Sequence, residues 1–273
     1  MIDLHLHILP GIDDGAPNLD ESRKMLKRLA DTGYTRVVAT PHLASPLTLD
    51  YEMRVNRAFD GLRPMAEEFG IELDLGYEHM ISSDLAHRLE TGERSTLAGS
   101  RAVLVELPFT EWPHHADSSL FALQIAGFIP ILAHVERYSD VQRDKNLALA
   151  AADRGVVLQL TLASFVGVFG SRAQRTARIL LRETLTRGTP VILATDAHST
   201  GQRLAQVESS LSWIRNHVTH GDDAIHWAAR ALPEALVSSA ALPEFTMGPP
   251  IVSVPDRIVD KAQRMWAKVI RRS

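Results

Sequence analysis

No cysteine occurs among the 273 residues. That absence excludes disulfides, thiolate-bound zinc and any cysteine nucleophile. An excess of either charge is missing as well: 29 Lys and Arg stand against 33 Asp and Glu, for a formal net charge of −4. Nucleic-acid binding leaves a basic footprint, so no nucleic-acid partner is expected. No apolar run reaches the roughly 18 residues that begin to suggest a membrane span. Residues 1–11 lack the basic and then long apolar stretches of a secretory leader. A cytoplasmic chain is the expectation. What remains is an ordinary globular composition, 45% hydrophobic and 23% charged. The length suits a single β/α barrel of about 250 residues.

What is present is alternation. β-rich runs recur at 2–7, 36–40, 72–77, 102–107, 129–135, 156–162 and 190–195. Helical stretches separate them. Asn18 can cap the first, with Glu21 three residues on to complete a capping box. Leu26, Leu29 and Ala30 then share a face, and Gly33 closes the helix. Further helices are expected over 52–69, 116–126, 146–154, 173–186 and 202–216. Strands alternating with helices read as parallel βαβ units. Seven such units give an α/β fold, a distorted seven-stranded barrel over residues 1–241. Residues 242–273 read as a proline-containing linker followed by a basic helix.

The ends of these strands carry an unusual set of side chains. The first run finishes with His5 and His7, which alternation places on one face. The second runs into His42, the third finishes at Glu78, the fourth at Glu106 and the fifth at His134. The seventh finishes with Asp196 and His198. One histidine or carboxylate alone is more often structural. Six of seven strands ending in such a group is another matter, because buried charge is costly unless paired or bound to metal. In parallel barrels the C-terminal strand ends supply the catalytic groups. Imidazole and carboxylate together suit zinc, iron and manganese.

The strings IDLHLH, Asp13-Asp14-Gly15, Thr40-Pro41-His42, VELPF at 105–109, HVERY at 134–138 and Thr195-Asp196-Ala197-His198 resemble the polymerase and histidinol phosphatase superfamily. Within it they look like the bacterial capsule-regulating tyrosine phosphatases. The resemblance implies two or three divalent ions, manganese first, with iron or zinc as alternatives. It implies a first ion on His5, His7, Glu78 and Asp196, with Glu78 bridging to a second on Glu106 and His134. A third would lie on Asp14, His42 and His198. It also implies that Arg137 and Arg203 bind the substrate phosphate. The residue-level alternative for Asp13 is a turn cap or a partner that orients a histidine. For Arg137 it is an ion pair with Glu136.

The implied reaction is hydrolysis of phosphotyrosine in a protein, in particular a bacterial tyrosine autokinase controlling polysaccharide synthesis. Two alternatives stand beside it: a small metabolite phosphate as substrate, and a silent scaffold that binds phosphoprotein. At the far end, Arg257, Lys261, Arg264, Lys268, Arg271 and Arg272 accompany Ile258, Ala262, Met265, Trp266 and Val269 at helical spacing. That helix is expected to pack on the barrel, with membrane or partner contact as the alternative.

Overall fold

The computed structural model describes residues 1–44 and 46–245. All of its strand pairs are parallel. One sheet has the order β1-β2-β4, from β1 (Ile2–Leu6), β2 (Arg36–Ala39) and β4 (Glu72–Leu75). The other has the order β3-β5-β6-β7-β8-β9. Its strands are β3 (His42–Leu43), β5 (Glu78–Met80), β6 (Ala102–Glu106), β7 (Ile129–Leu132), β8 (Val157–Thr161) and β9 (Val191–Ala194). Strands β1, β6, β8 and β9 are buried along their whole length. Burial on both faces is why they read as near-continuous apolar runs.

The expectation of one unbroken strand in each of seven runs is corrected in two places. Residues 36–40 do not run on into His42, and residues 72–77 do not run on into Glu78. Each run stops and a short strand restarts in the other sheet. Pro41 has no N–H to give to a ladder, and its carbonyl instead accepts from Glu78 N at 3.1 Å. At the second break, a Cβ on Gly76 would meet Leu97 Cδ2 at 2.6 Å and Leu97 Cα at 2.9 Å. Only glycine allows that approach.

Between β1 and β9 a side chain stands in for a ladder. The buried Asp3 carboxylate accepts from Thr195 Oγ1 at 2.6 Å, from Thr195 N at 3.2 Å and from His5 N at 3.2 Å. Beyond it, Asp196 N donates to His5 O at 2.9 Å and His7 N to Ala197 O at 2.8 Å. Burial raises the Asp3 carboxyl to about 6, against the pull of these donors.

The helices are α1 (Leu19–Asp31), α2 (Leu49–Glu68), α3 (Leu85–Glu90), α4 (Ala116–Ile125), α5 (Ser139–Arg143) and α6 (Asn146–Asp153). They continue as α7 (Gly170–Arg187), α8 (Gln202–Ala205), α9 (Val207–His217), α10 (Gly221–His226) and α11 (Leu232–Ser238). Asn18 Oδ1 caps α1 by accepting from Glu21 N at 3.0 Å. The reciprocal half of the capping box is absent. Glu21 Oε1 instead accepts from Thr200 N at 2.7 Å and Thr200 Oγ1 at 2.8 Å. The helix expected over 202–216 is two, parted at Gln206. No helix among the described residues is long and apolar enough to cross a membrane. Leu242 and Phe245 pack against the core, and Trp227 Nε1 donates to Pro243 O at 3.1 Å. The basic helix expected near the C-terminus lies outside the described residues.

Candidate metal centre

The fold brings all nine candidate ligands to one place. His5 lies on β1 and His7 just past it. His42 opens β3, Glu78 opens β5 and Glu106 closes β6. His134 follows β7, while Asp196 and His198 follow β9. Neither His134 nor Asp196 is on a strand, so pleat alternation does not aim them. Both turn left-handed instead, with φ of 32° and 49°. Non-glycine residues avoid that region unless their surroundings enforce it, and such strain gathers at functional sites.

Glu78 is the hub. Its buried Oε2 lies 3.2 Å from His5 Nε2, 3.3 Å from His7 Nε2 and 3.0 Å from His42 Nδ1. Its Oε1 lies 2.9 Å from His134 Nε2. Glu106 reaches within 3.6 Å of His42 Nδ1 and 3.8 Å of His134 Nε2. Asp14 Oδ1 lies 3.3 Å from His42 Nε2 and 3.4 Å from His198 Nε2. Asp196 Oδ1 lies 3.5 Å from His5 Nε2 and 3.6 Å from His7 Nε2.

Outer partners fix the ring orientations. Gln159 Oε1 accepts from His134 N at 2.6 Å, which identifies that atom as the amide oxygen. His5 Nδ1, 3.0 Å from the same oxygen, must then be a donor. His7 Nδ1 likewise donates to Asp13 Oδ2 at 2.8 Å. Asp13 also accepts from Gly15 N at 3.0 Å and His42 N at 3.2 Å, so it both caps the turn and orients a histidine.

With both Nδ1 atoms protonated, neutral His5 and His7 turn bare Nε2 lone pairs inward. Those two nitrogens are only 3.2 Å apart, and both face Glu78 Oε2. Three acceptors converging on one buried point require a positive charge between them, either a proton or a metal cation. The donor set of imidazole nitrogens and carboxylate oxygens fits divalent transition ions. Four overlapping groups have ligand atoms within 4.8 Å of one another. They are His7-Asp14-His42-His198, His5-His7-Asp196, His5-Glu78-His134 and His42-Glu78-Glu106.

The electrostatics of the bare chain follow from this crowding. Burial opposes a charged His7 ring, but hydrogen bonds to Asp13 and Glu78 outweigh it and lift the group to about 10. Burial and then the Glu78 charge push Glu106 up to about 7. Burial and then His7 push His198 down to about 4. Glu78 itself is held well below the usual carboxylate range, because the surrounding imidazoles outweigh its burial. Groups of one kind pushed in opposite directions mark a cluster that shares protons it would give up to a cation.

Two arginines flank the cluster on the open side. Arg137 Nη1 donates to Asp196 Oδ2 at 2.6 Å and Arg203 Nη1 to Asp196 Oδ1 at 2.9 Å. The alternative pairing of Arg137 with Glu136 is absent. Glu136 is buried and accepts from Ser164 Oγ at 2.5 Å and Thr161 N at 3.1 Å. The Arg137 Cζ lies 4.6 Å from the Phe109 ring centroid and 4.3 Å from that of Phe169. A cleft of about 450 Å³ opens between Val168, Phe169, His198, Ser199, Gln202 and Arg203.

A family model described as "Capsular polysaccharide synthesis, CpsB/CapC" matches residues 1–231, a span holding every one of these groups. The chain belongs to the CpsB/CapC family. The tyrosine-protein phosphatase YwqE of Bacillus subtilis is 29% identical over 213 residues, covering 77% of this chain and 82% of that protein. The putative tyrosine-protein phosphatase CapC of Staphylococcus aureus is 30% identical over 206 residues, covering 74% and 79%. A crystal structure from work on YwqE of B. subtilis and CpsB of Streptococcus pneumoniae, described as unique metal-dependent tyrosine phosphatases, superposes with a TM-score of 0.79. Identity there is 26%, with 93% of this chain and 100% of that one covered.

Sequence reading gave no role to Gln159, Asp3, Phe109 or Phe169. Gln159 and Asp3 did leave a signal: inside a buried strand, the first stands between two leucines and the second between an isoleucine and a leucine. Phe109 stood in the VELPF string without a role, and Phe169 sits in a loop and left no signal.

Proposed function

We propose that this CpsB/CapC family member is a metal-dependent protein tyrosine phosphatase. Its partner is a phosphotyrosine protein, in particular a bacterial tyrosine autokinase of polysaccharide synthesis. The single observation that carries the metal reading is the convergence of His5 Nε2, His7 Nε2 and Glu78 Oε2 on one buried point. The tyrosine reading is supported by the relatives above. We assign His5, His7, Asp14, His42, Glu78, Glu106, His134, Asp196 and His198 as ligands of two or three ions, manganese first. We also read β2 with β3, and β4 with β5, as broken staves of one distorted seven-stave barrel.

Bound ions would neutralise the phosphate and supply water of lowered pKa. The chain's own residues do the rest. Arg137 and Arg203 present several N–H donors beside the cluster and clamp the non-bridging phosphate oxygens. Asp196 anchors both guanidiniums, so their spacing is set before substrate arrives. A tyrosine leaving group, with a pKa of about 10, needs less help from a general acid than an alkyl ester does. The Val168–Arg203 cleft leaves room beside the phosphate position for the rest of the substrate.

The test is turnover of phosphotyrosyl peptides against a panel of sugar phosphates, nucleotides and histidinol phosphate, with manganese and then with chelator. Metal-dependent turnover is expected, with the peptides preferred by at least about tenfold in kcat/KM. A metabolite favoured by orders of magnitude would overturn the protein-phosphatase reading. Turnover that survives chelation would overturn the metal reading.

A further inference from the structure

We propose that Phe169 is a positioning residue that holds the guanidiniums of Arg137 and Arg203 by its ring face and so leaves the N–H groups not spent on Asp196 and His198 available to phosphate. This rests on the reading that the two arginines bind the substrate phosphate.

Phe169 lies in the short link between the 3₁₀ turn Leu162–Val166 and α7. Gly167 and Gly170 bracket it, both left-handed, with φ of +89° and +86°. An L side chain is strained at either position, so the pair fixes a tight path that glycine alone takes without cost. Val168 N closes the path onto Ala163 O at 3.2 Å and Gly170 N onto Gly167 O at 3.0 Å. The ring this turn presents lies 4.3 Å from Arg137 Cζ and 5.2 Å from Arg203 Cζ. One aromatic ring therefore meets both cations.

Two neighbouring cations repel and need a counter-charge. Among the described residues Asp196 is the one carboxylate paired with either of them. A second carboxylate at the position of Phe169 would occupy the guanidinium fork and compete with phosphate for the same donors. A ring attracts the cation through its face instead, leaving donors in the guanidinium plane unspent. Both arginines are also largely shielded, with side chains 16% and 23% exposed, so the attraction is weakly screened. Phe169 and Arg203 line the same cleft beside His198, the space offered to phosphate. Phe109 supports Arg137 alone and cannot replace the ring for Arg203.

The experiment compares Phe169→Leu and Phe169→Tyr with the parent chain, all loaded with manganese. Leu keeps apolar bulk but has no ring face, whereas Tyr keeps the face. Inorganic phosphate is the first probe, its affinity read by titration calorimetry, and an aryl phosphate is the second. For Phe169→Leu, phosphate affinity is expected to fall roughly tenfold and kcat/KM likewise, mainly through KM. Metal content by elemental analysis should stay unchanged. Phe169→Tyr should return both to within about twofold of the parent. Phosphate affinity unchanged in Phe169→Leu overturns the proposal. So does Phe169→Tyr as weak as Phe169→Leu, or a fall in metal content. A loss confined to the aryl ester, with inorganic phosphate bound normally, also overturns it, because Phe169 would then touch the substrate ring. Phosphate binding is read without turnover, so failure here is distinct from failure of the phosphatase assignment.

Discussion

At the scale of single residues, the centre depends on side chains that touch no ion. Gln159 is the clearest. One amide oxygen takes the backbone N–H of His134 and the Nδ1–H of His5, which turns the His5 ring toward Glu78 and ties it to the turn that carries His134. Gln159→Leu keeps the volume and removes the acceptor, leaving two buried donors unpaired. Each such donor costs about 1–3 kcal/mol, so a loss of roughly 2–6 kcal/mol in urea unfolding with chelator present is expected. Metal affinity, measured by competition with a chromophoric chelator, should fall about 10- to 100-fold. An unchanged affinity would remove Gln159 from the support of the site.

At the scale of elements, the loop from His7 to Ala16 is the tightest piece of the site. A Cβ on Gly15 would meet His7 O at 2.2 Å and His7 Cβ at 2.4 Å. Backbone cannot yield as a flexible side chain does. Gly15→Ala must therefore move Asp13 and Asp14 away from the histidines they face. The expected outcome is a loss of at least about 2 kcal/mol in stability and of part of the bound metal, read by elemental analysis. A fully loaded Gly15→Ala protein would contradict this. This scale also explains what the sequence disclosed and what it withheld. The runs over β1, β6, β8 and β9 were visible because strands buried on both faces spell out apolar stretches, as Val103, Leu104 and Val105 do in β6. Strands of two and three residues, β3 and β5, are too short for any period to show. The ligand candidates were legible because parallel topology collects strand ends on one side. How His134 and Asp196 are aimed was not, since a left-handed turn at a non-glycine residue is imposed by its surroundings. Glu21 suggested a cap and instead holds Thr200, two residues beyond His198, by a contact no local pattern announces.

At the scale of the whole molecule, the candidate ligands come from both sheets and from both sides of the β1–β9 gap. Ions bound there would tie β1 to β9, where side chains and a single bridge between Leu6 and Ala197 otherwise make the join. Chelation should therefore lower the thermal midpoint, and manganese at about 100 times its Kd should restore roughly 5–10 °C. The imidazoles must shed protons to bind, so the gap between loaded and chelated protein should narrow as the pH falls. Scanning calorimetry at several pH values measures both. A midpoint indifferent to chelator would mean that the ions do not bridge the sheets.

The spread of these groups along the chain also orders events during synthesis. His5 and His7 leave the ribosome first, whereas Asp196 and His198 emerge only after some 190 intervening positions. A half-made chain already offers His5, His7, His42, Glu78, Glu106 and His134 but lacks Asp196 and His198, so the ligand set is completed only when the last strand arrives. A nascent fragment that stops short of β9 would therefore lack both the last two ligands and Arg203, the second of the two arginines beside them.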